Sequence, residues 1–102
     1  MKIVIQTLDF NIDSELTRYI ENALGKPVSA SAVIRHAEVI LYEESLQGAK
    51  KKCCSIRAVL SDNSYLVSNY SDSYEGAILV SVNELVEKLI RDFPDPVNGN
   101  NV

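Results

Sequence analysis

The chain has 102 residues, 46% of them hydrophobic, with 14 acids against 10 bases and a net charge of −4. That length holds one domain with a single core, no apolar run is long enough to cross a bilayer, and the N-terminus lacks the pattern of a secretory signal. The acidic balance argues against a broad counterion-release surface for nucleic acid, which calls for a basic face.

Ile3, Ile5 and Thr7 alternate with Lys2, Val4 and Gln6, which predicts a half-buried first strand. Asp13 is placed to cap a helix, with Glu15 in its first turn where the dipole favours an acid. Leu16, Tyr19, Ile20, Ala23 and Leu24 form its apolar stripe; Gly25 is positioned to end it and Pro27 to keep it ended. Residues 28–33 are weakly patterned and are expected to connect to a second strand, Ile34–Glu44. There Ala37, Val39 and Leu41 share one face, and His36, Glu38, Ile40 and Tyr42 the other.

Ser45–Lys50 contains Gly48 and reads as a loop before a third strand, Lys51–Ser61. That strand puts Cys54, Ile56, Ala58 and Leu60 on one face and Cys53, Ser55, Arg57 and Val59 on the other. Asp62-Asn63-Ser64 is turn chemistry and predicts a hairpin to a fourth strand, Tyr65–Tyr70, whose inward face alternation leaves open. Asp72-Ser73-Tyr74-Glu75 predicts a variant capping box with Asp72 as cap. The helix it opens carries Tyr74, Ala77, Ile78, Val82, Leu85 and Leu89 on its stripe and is ended by Pro94. The expected fold is α+β in the order β-α-β-β-β-α, a four-stranded mixed sheet with two helices packed on one face. Residues 1–94 are expected to form this single domain and 95–102 a disordered tail.

Little in the sequence points to catalysis. His36 is the only histidine and reads as a strand residue on the bare sheet face; no nucleophile–base constellation can be built around it. Glu43 and Glu44 are neighbours whose side chains diverge on a strand, so a solvated strand end outweighs an acid–base pair. Cys53 and Cys54 are adjacent, a poor geometry for a disulfide and too few thiols for structural zinc, which suits a reducing cytoplasm. The expectation is no enzyme, no metal and no cofactor. Two surface features stand out instead. Lys50-Lys51-Lys52 with Arg57 is the one basic concentration; its bland reading is a solvated loop whose lysines discourage edge pairing, its functional reading a phosphate contact patch. The bare sheet face gathers Val4, Ile40, Tyr42 and Val59, joined by Tyr65 and Val67 if the fourth strand follows, and predicts self-association. The bland alternative is a one-residue slip in the face assignment, which would return several of these to the core.

Two segments resemble a known family. Helix one, Leu16-Thr17-Arg18-Tyr19-Ile20-Glu21-Asn22-Ala23-Leu24-Gly25-Lys26, and helix two, Ala77-Ile78 followed by Val82, Leu85 and Leu89, are similar to those of ribosome hibernation factors (ribosomal subunit interface proteins). Asp72-Ser73-Tyr74 matches the Asp-x-Tyr before the family's second helix, with one extra residue before Ala77. The likeness covers residues 1–93 and includes the element order. It implies a non-catalytic cytoplasmic protein that binds the small ribosomal subunit in the channel used by mRNA and tRNA and silences translation under stress. The grip would be electrostatic, on rRNA phosphates. Lys26 and Arg91 are then inherited contacts, and Lys50, Lys51, Lys52 and Arg57 the hairpin's contribution. The sequence departs from the family at Thr17, Ala23, Glu84 and Glu87, where bases are common, so acidic helix two weakens the expected rRNA contact. The alternative is an acidic divergent member that has lost rRNA binding and works as a dimeric protein-interaction module. A double-stranded-RNA domain, with its α-β-β-β-α order, would need a basic start to helix two, where Asp72 and Glu75 stand.

Overall fold

The structure, a computed structural model, describes residues 1–25 and 34–92. Its elements are β1 (Lys2–Thr7), α1 (Ser14–Gly25), β2 (His36–Leu46), β3 (Ala49–Val59), β4 (Ser64–Ser71) and α2 (Tyr74–Asp92). The four strands lie in the order β1-β2-β3-β4, with β1 parallel to β2 and the other pairs antiparallel. A parallel pair needs a crossover, and α1 lies within it. This is the predicted α+β fold. Residues 26–33 and 93–102, and with them the expected connector, the tail, Lys26 and the prolines, lie outside the described residues.

Period-two alternation decides the layers. Ala37, Val39 and Leu41 of β2, Cys54, Ile56 and Ala58 of β3, and Val67 of β4 are buried beneath Leu16, Ile20 and Leu24 of α1 and Ala77, Ile78, Val82, Leu85 and Leu89 of α2. Fully burying each large aliphatic side chain contributes about 1.5–3 kcal/mol, so the two helical stripes hold the sandwich together. The first cap is as expected: Asp13 Oδ1 accepts the Leu16 N–H at 2.8 Å.

Four local expectations are corrected. Ser45–Lys50 is not a loop: β2 and β3 continue to a two-residue turn, Gln47-Gly48, with φ of 53° and 81°. Positive φ at both positions marks a type I′ turn, whose twist matches the flanking strands. The polar sequence hid this extension, and the opposed charges Glu43↔Lys52 and Glu44↔Lys51 support it. The third strand accordingly spans Ala49–Val59. The cap of α2 is Ser73, whose Oγ accepts the Gly76 N–H at 3.0 Å; Asp72 stands one residue too early and pairs with Lys51 at 2.6 Å. On β4, Val67 lies directly opposite Ile56 and is buried, and Tyr65 packs on the core, so neither joins the bare face. Leu66, Ser68 and Tyr70 point outward instead. Finally, the α2 stripe includes Ser81, fully buried, whose hydroxyl donates to the Cys54 carbonyl at 3.2 Å and accepts from Asn69 Nδ2 at 3.2 Å.

Candidate functional site

The β2–β3 hairpin carries the lysines but does not gather them. Consecutive strand residues point to opposite faces. Lys52 points to the helix side, where its ammonium pairs with the Glu43 carboxylate and sits 5.4 Å from the Tyr74 ring centre. Tyr74 in turn stacks on Phe10 at 4.8 Å, tying the β1–α1 loop to the start of α2. Lys51 points to the other side and donates to Asp72 Oδ1 at 2.6 Å. The hydrogen bond to Glu43 raises the Lys52 pKa, and the same bond lowers that of Glu43. The Lys51–Asp72 bond does the same, raising the lysine and lowering the aspartate. Two of the three lysines therefore already face carboxylates of their own chain.

The other basic candidates are spread out. Lys50 is exposed at the hairpin end, opposite Ser45 and on the Lys52 side. Arg57 is exposed on the opposite face, six residues from Lys51, or about 20 Å along the strand. Arg91 lies exposed in the last turn of α2. Next to it, the Asp92 carboxylate accepts the Tyr65 hydroxyl at 2.6 Å, which pushes that phenol's pKa up. Of the acids on α2, Glu84 accepts from Asn69 Nδ2 at 2.8 Å and lies 3.9 Å from Lys88, whereas Glu87 is exposed. Among the described residues, the basic candidates therefore occupy both faces of the sheet and the far end of α2 and do not form a single patch.

The bare face holds Val4, Ile40, Tyr42 and Val59 as expected, and the register arranges them in rows. One row runs Val4, Glu38, Arg57, Leu66 from β1 to β4; the next on β2–β4 is Ile40, Ser55, Ser68; the third is Tyr42, Cys53, Tyr70. Leu66 and Tyr70 are 64% and 59% exposed, the largest apolar exposures on this face. Sequence reasoning missed both because the phase of β4 was open; the directly opposed Ile56 fixes it. Ser55 and Ser68 share a hydrogen bond at 2.7 Å. Cys53 is only 3% exposed even on this open face, flanked across the strands by Tyr42 and Tyr70.

Among the described residues no reactive group emerges from this geometry. Burial pushes the Cys54 thiol up to about 12 and also raises that of Cys53, so neither is poised as a thiolate. His36 Nε2 lies 3.2 Å from Glu38 Oε2 on the open face. Among the described residues no group of three metal-ligating side chains converges, and no helix is long and apolar enough to cross a membrane.

Fold and surface together define a small α+β domain with two helices on one side of a mixed sheet and an open, partly apolar face on the other. Two solved structures share this architecture. The N-terminal domain of protein Y from Thermus thermophilus superposes with a TM-score of 0.74 at 22% identity, covering 89% of this chain and 98% of that one. A ribosomal subunit interface protein from Coxiella burnetii superposes with a TM-score of 0.76 at 18% identity, covering 89% and 96%. The resemblance read from the sequence is borne out at the level of the fold. No protein-family model and no curated protein matches the chain by sequence.

Proposed function

We propose that this chain is a non-catalytic, ribosome-associated protein that binds rRNA of the small subunit and modulates translation under stress, acting in the cytoplasm. The observation that carries the reading is the shared fold over 89% of the chain with a ribosomal subunit interface protein. The scattered cations fit it in a particular way. A flat duplex would meet one basic face, whereas Lys50, Arg57 and Arg91 on different sides suit a partner that encloses the domain, as a channel in the ribosome does. With about three to four phosphates neutralised, log K should fall against log salt with a slope of roughly −2 to −4. Co-sedimentation with small subunits at low and moderate salt tests this. Glu87→Arg, which adds a base at an exposed α2 position, should strengthen binding without disturbing the Asn69 contact that Glu84 makes. If wild type and Glu87→Arg both stay off the subunit at the lowest salt, the proposal fails.

One observation favours a second reading, the divergent member without an rRNA grip. The ion pairs of Lys51 and Lys52 withdraw two of the six basic candidates, and α2 presents Glu75 and Glu87 to solvent. On this reading the domain works through protein contacts, and ribosome binding is absent at every salt concentration.

A further inference from the structure

The open face has a charge order that its individual residues do not reveal. On it β2 presents acids, Glu38 and Glu44, while β3 carries bases at the directly opposed register positions, Arg57, which is exposed, and Lys51, which is bonded to Asp72. The outer strands carry apolar groups in the same row as Glu38 and Arg57: Val4 on β1 and Leu66 on β4. On a chain of net charge −4, this face is close to balanced.

We propose that this face docks a second copy of the same chain, about a two-fold axis running along the strands between β2 and β3. Such an axis lays β2 of one copy over β3 of the other, twice. Glu38 then meets Arg57, and Val4 of β1 meets Leu66 of β4, each contact occurring in both halves, as a two-fold interface requires; Lys51, opposite Glu44, stays bonded to Asp72 of its own chain. Strand directions stay aligned, which is the common way for two sheets to pack. The inner row brings Tyr42 of one copy onto the Cys53 position of the other, so the tyrosines that shield the thiol also meet across the interface. Other orientations lose this match: an axis across the strands sets β2 on β2, and its acids no longer meet bases.

The area sets the strength. Four strands about 4.8 Å apart and eight residues at about 3.3 Å rise give a footprint of roughly 500 Å² per copy. The total of about 1,000 Å² is at the low end for specific association, so the dimer should be weak, with Kd on the order of tens of micromolar. Neither ribosome binding nor its loss is needed for this dimer.

The test is charge complementation in sedimentation equilibrium, with the full chain from about 1 to 500 μM to bracket that Kd. Wild type should show a concentration-dependent rise from monomer to dimer. Glu38→Arg and Arg57→Glu should each weaken self-association at least about ten-fold, roughly one lost charge contact in each half. An equimolar mixture of the two should dimerise again, because each copy then supplies the charge the other lacks. Leu66→Asp, at a 64% exposed position that leaves the core intact, should abolish association in every combination. The proposal is overturned if wild type is monomeric throughout, if either single charge variant dimerises like wild type, or if the mixture stays monomeric. Wild type that is monomeric yet binds a labelled single-stranded RNA, with binding lost in Tyr70→Ala, overturns it in favour of a base-stacking surface.

Discussion

If the carboxylates of Glu43 and Asp72 hold Lys52 and Lys51 away from phosphates, removing them should release two cations to the ribosome. The perturbation is the double variant Glu43→Gln with Asp72→Asn. Both carboxylates are at the surface, one bonded to each lysine, so the fold has little to lose. Each phosphate newly neutralised steepens the salt dependence by about 0.7–0.9 in log K against log salt. Two give a slope steeper than wild type by about 1.4–1.8. Between 50 and 200 mM salt, a four-fold change, the variant's advantage should therefore shrink by roughly ten-fold. The assay is co-sedimentation with small subunits over that salt series, wild type and variant side by side. A variant that binds more tightly with an unchanged slope gained only from the loss of repulsion, which refutes the view that the lysines had been withheld. A variant that binds no better than wild type refutes the view that this hairpin faces rRNA.

Four further outcomes follow from the packing. Gly76→Ala should destabilise although alanine favours a helix by about 1 kcal/mol, because the new methyl would lie 2.5 Å from Ser71 Oγ, 3.1 Å from Ser71 Cβ and 3.2 Å from the capping Ser73 Oγ; a raised melting temperature would contradict this. Leu85→Ala, at a fully buried α2 position, should cost about 2–5 kcal/mol in urea unfolding. Ser81→Ala should cost about 1–3 kcal/mol, out of proportion to one lost oxygen, since it strips a partner from the buried Cys54 carbonyl and from Asn69. On pH, Glu43 and Asp72 have folded pKa values below the ordinary carboxylate range, so their pairs support the fold fully above that range and lose this as pH falls through the lowered values; the Glu43→Gln, Asp72→Asn variant should lose less stability than wild type across that acid window, measured by urea midpoints.

Elements fixed by apolar periodicity were legible in the sequence. The stripe from Leu16 to Leu24, the Asp13 cap and the alternation through Ala37, Val39 and Leu41 all rest on which side chains must leave water, and the structure places them accordingly. Legibility failed where the decisive partner lay on another strand. The phase of β4 depends on Val67 facing Ile56, a cross-strand fact no run of eight residues states. The end of the β2–β3 hairpin read as a loop because Ser45–Lys50 contains Gly48; what makes it strand is the pairing of Ser45 with Lys50 and of Leu46 with Ala49 across a two-residue turn. Ser81 was not part of the apolar stripe read for α2, and the carbonyl of Cys54 and the amide of Asn69 give it a reason to be buried.

The placement of the basic candidates was hidden in the same way, and this bears on function. Read along the chain, Lys50-Lys51-Lys52 is a patch; read on the sheet, it is two faces and two ion pairs. Packing constrains the helical stripes tightly, since an alanine at Leu85 would leave a cavity in the core. It does not constrain position 87, where an acid or a base is equally well solvated. A fold can therefore persist at 22% or 18% identity while its exposed positions change. For this domain the question of what it grips is decided at exposed positions, by Lys50, Arg57, Glu87 and Arg91 on one hypothesis and by the acid–base order of β2 and β3 on the other. Arg57 belongs to both sets. A single arginine cannot lie against a phosphate and against Glu38 of a second copy at once, so if both proposals hold, dimer and ribosome compete for it, and raising the protein concentration through the dimer's Kd should lower the fraction bound per chain.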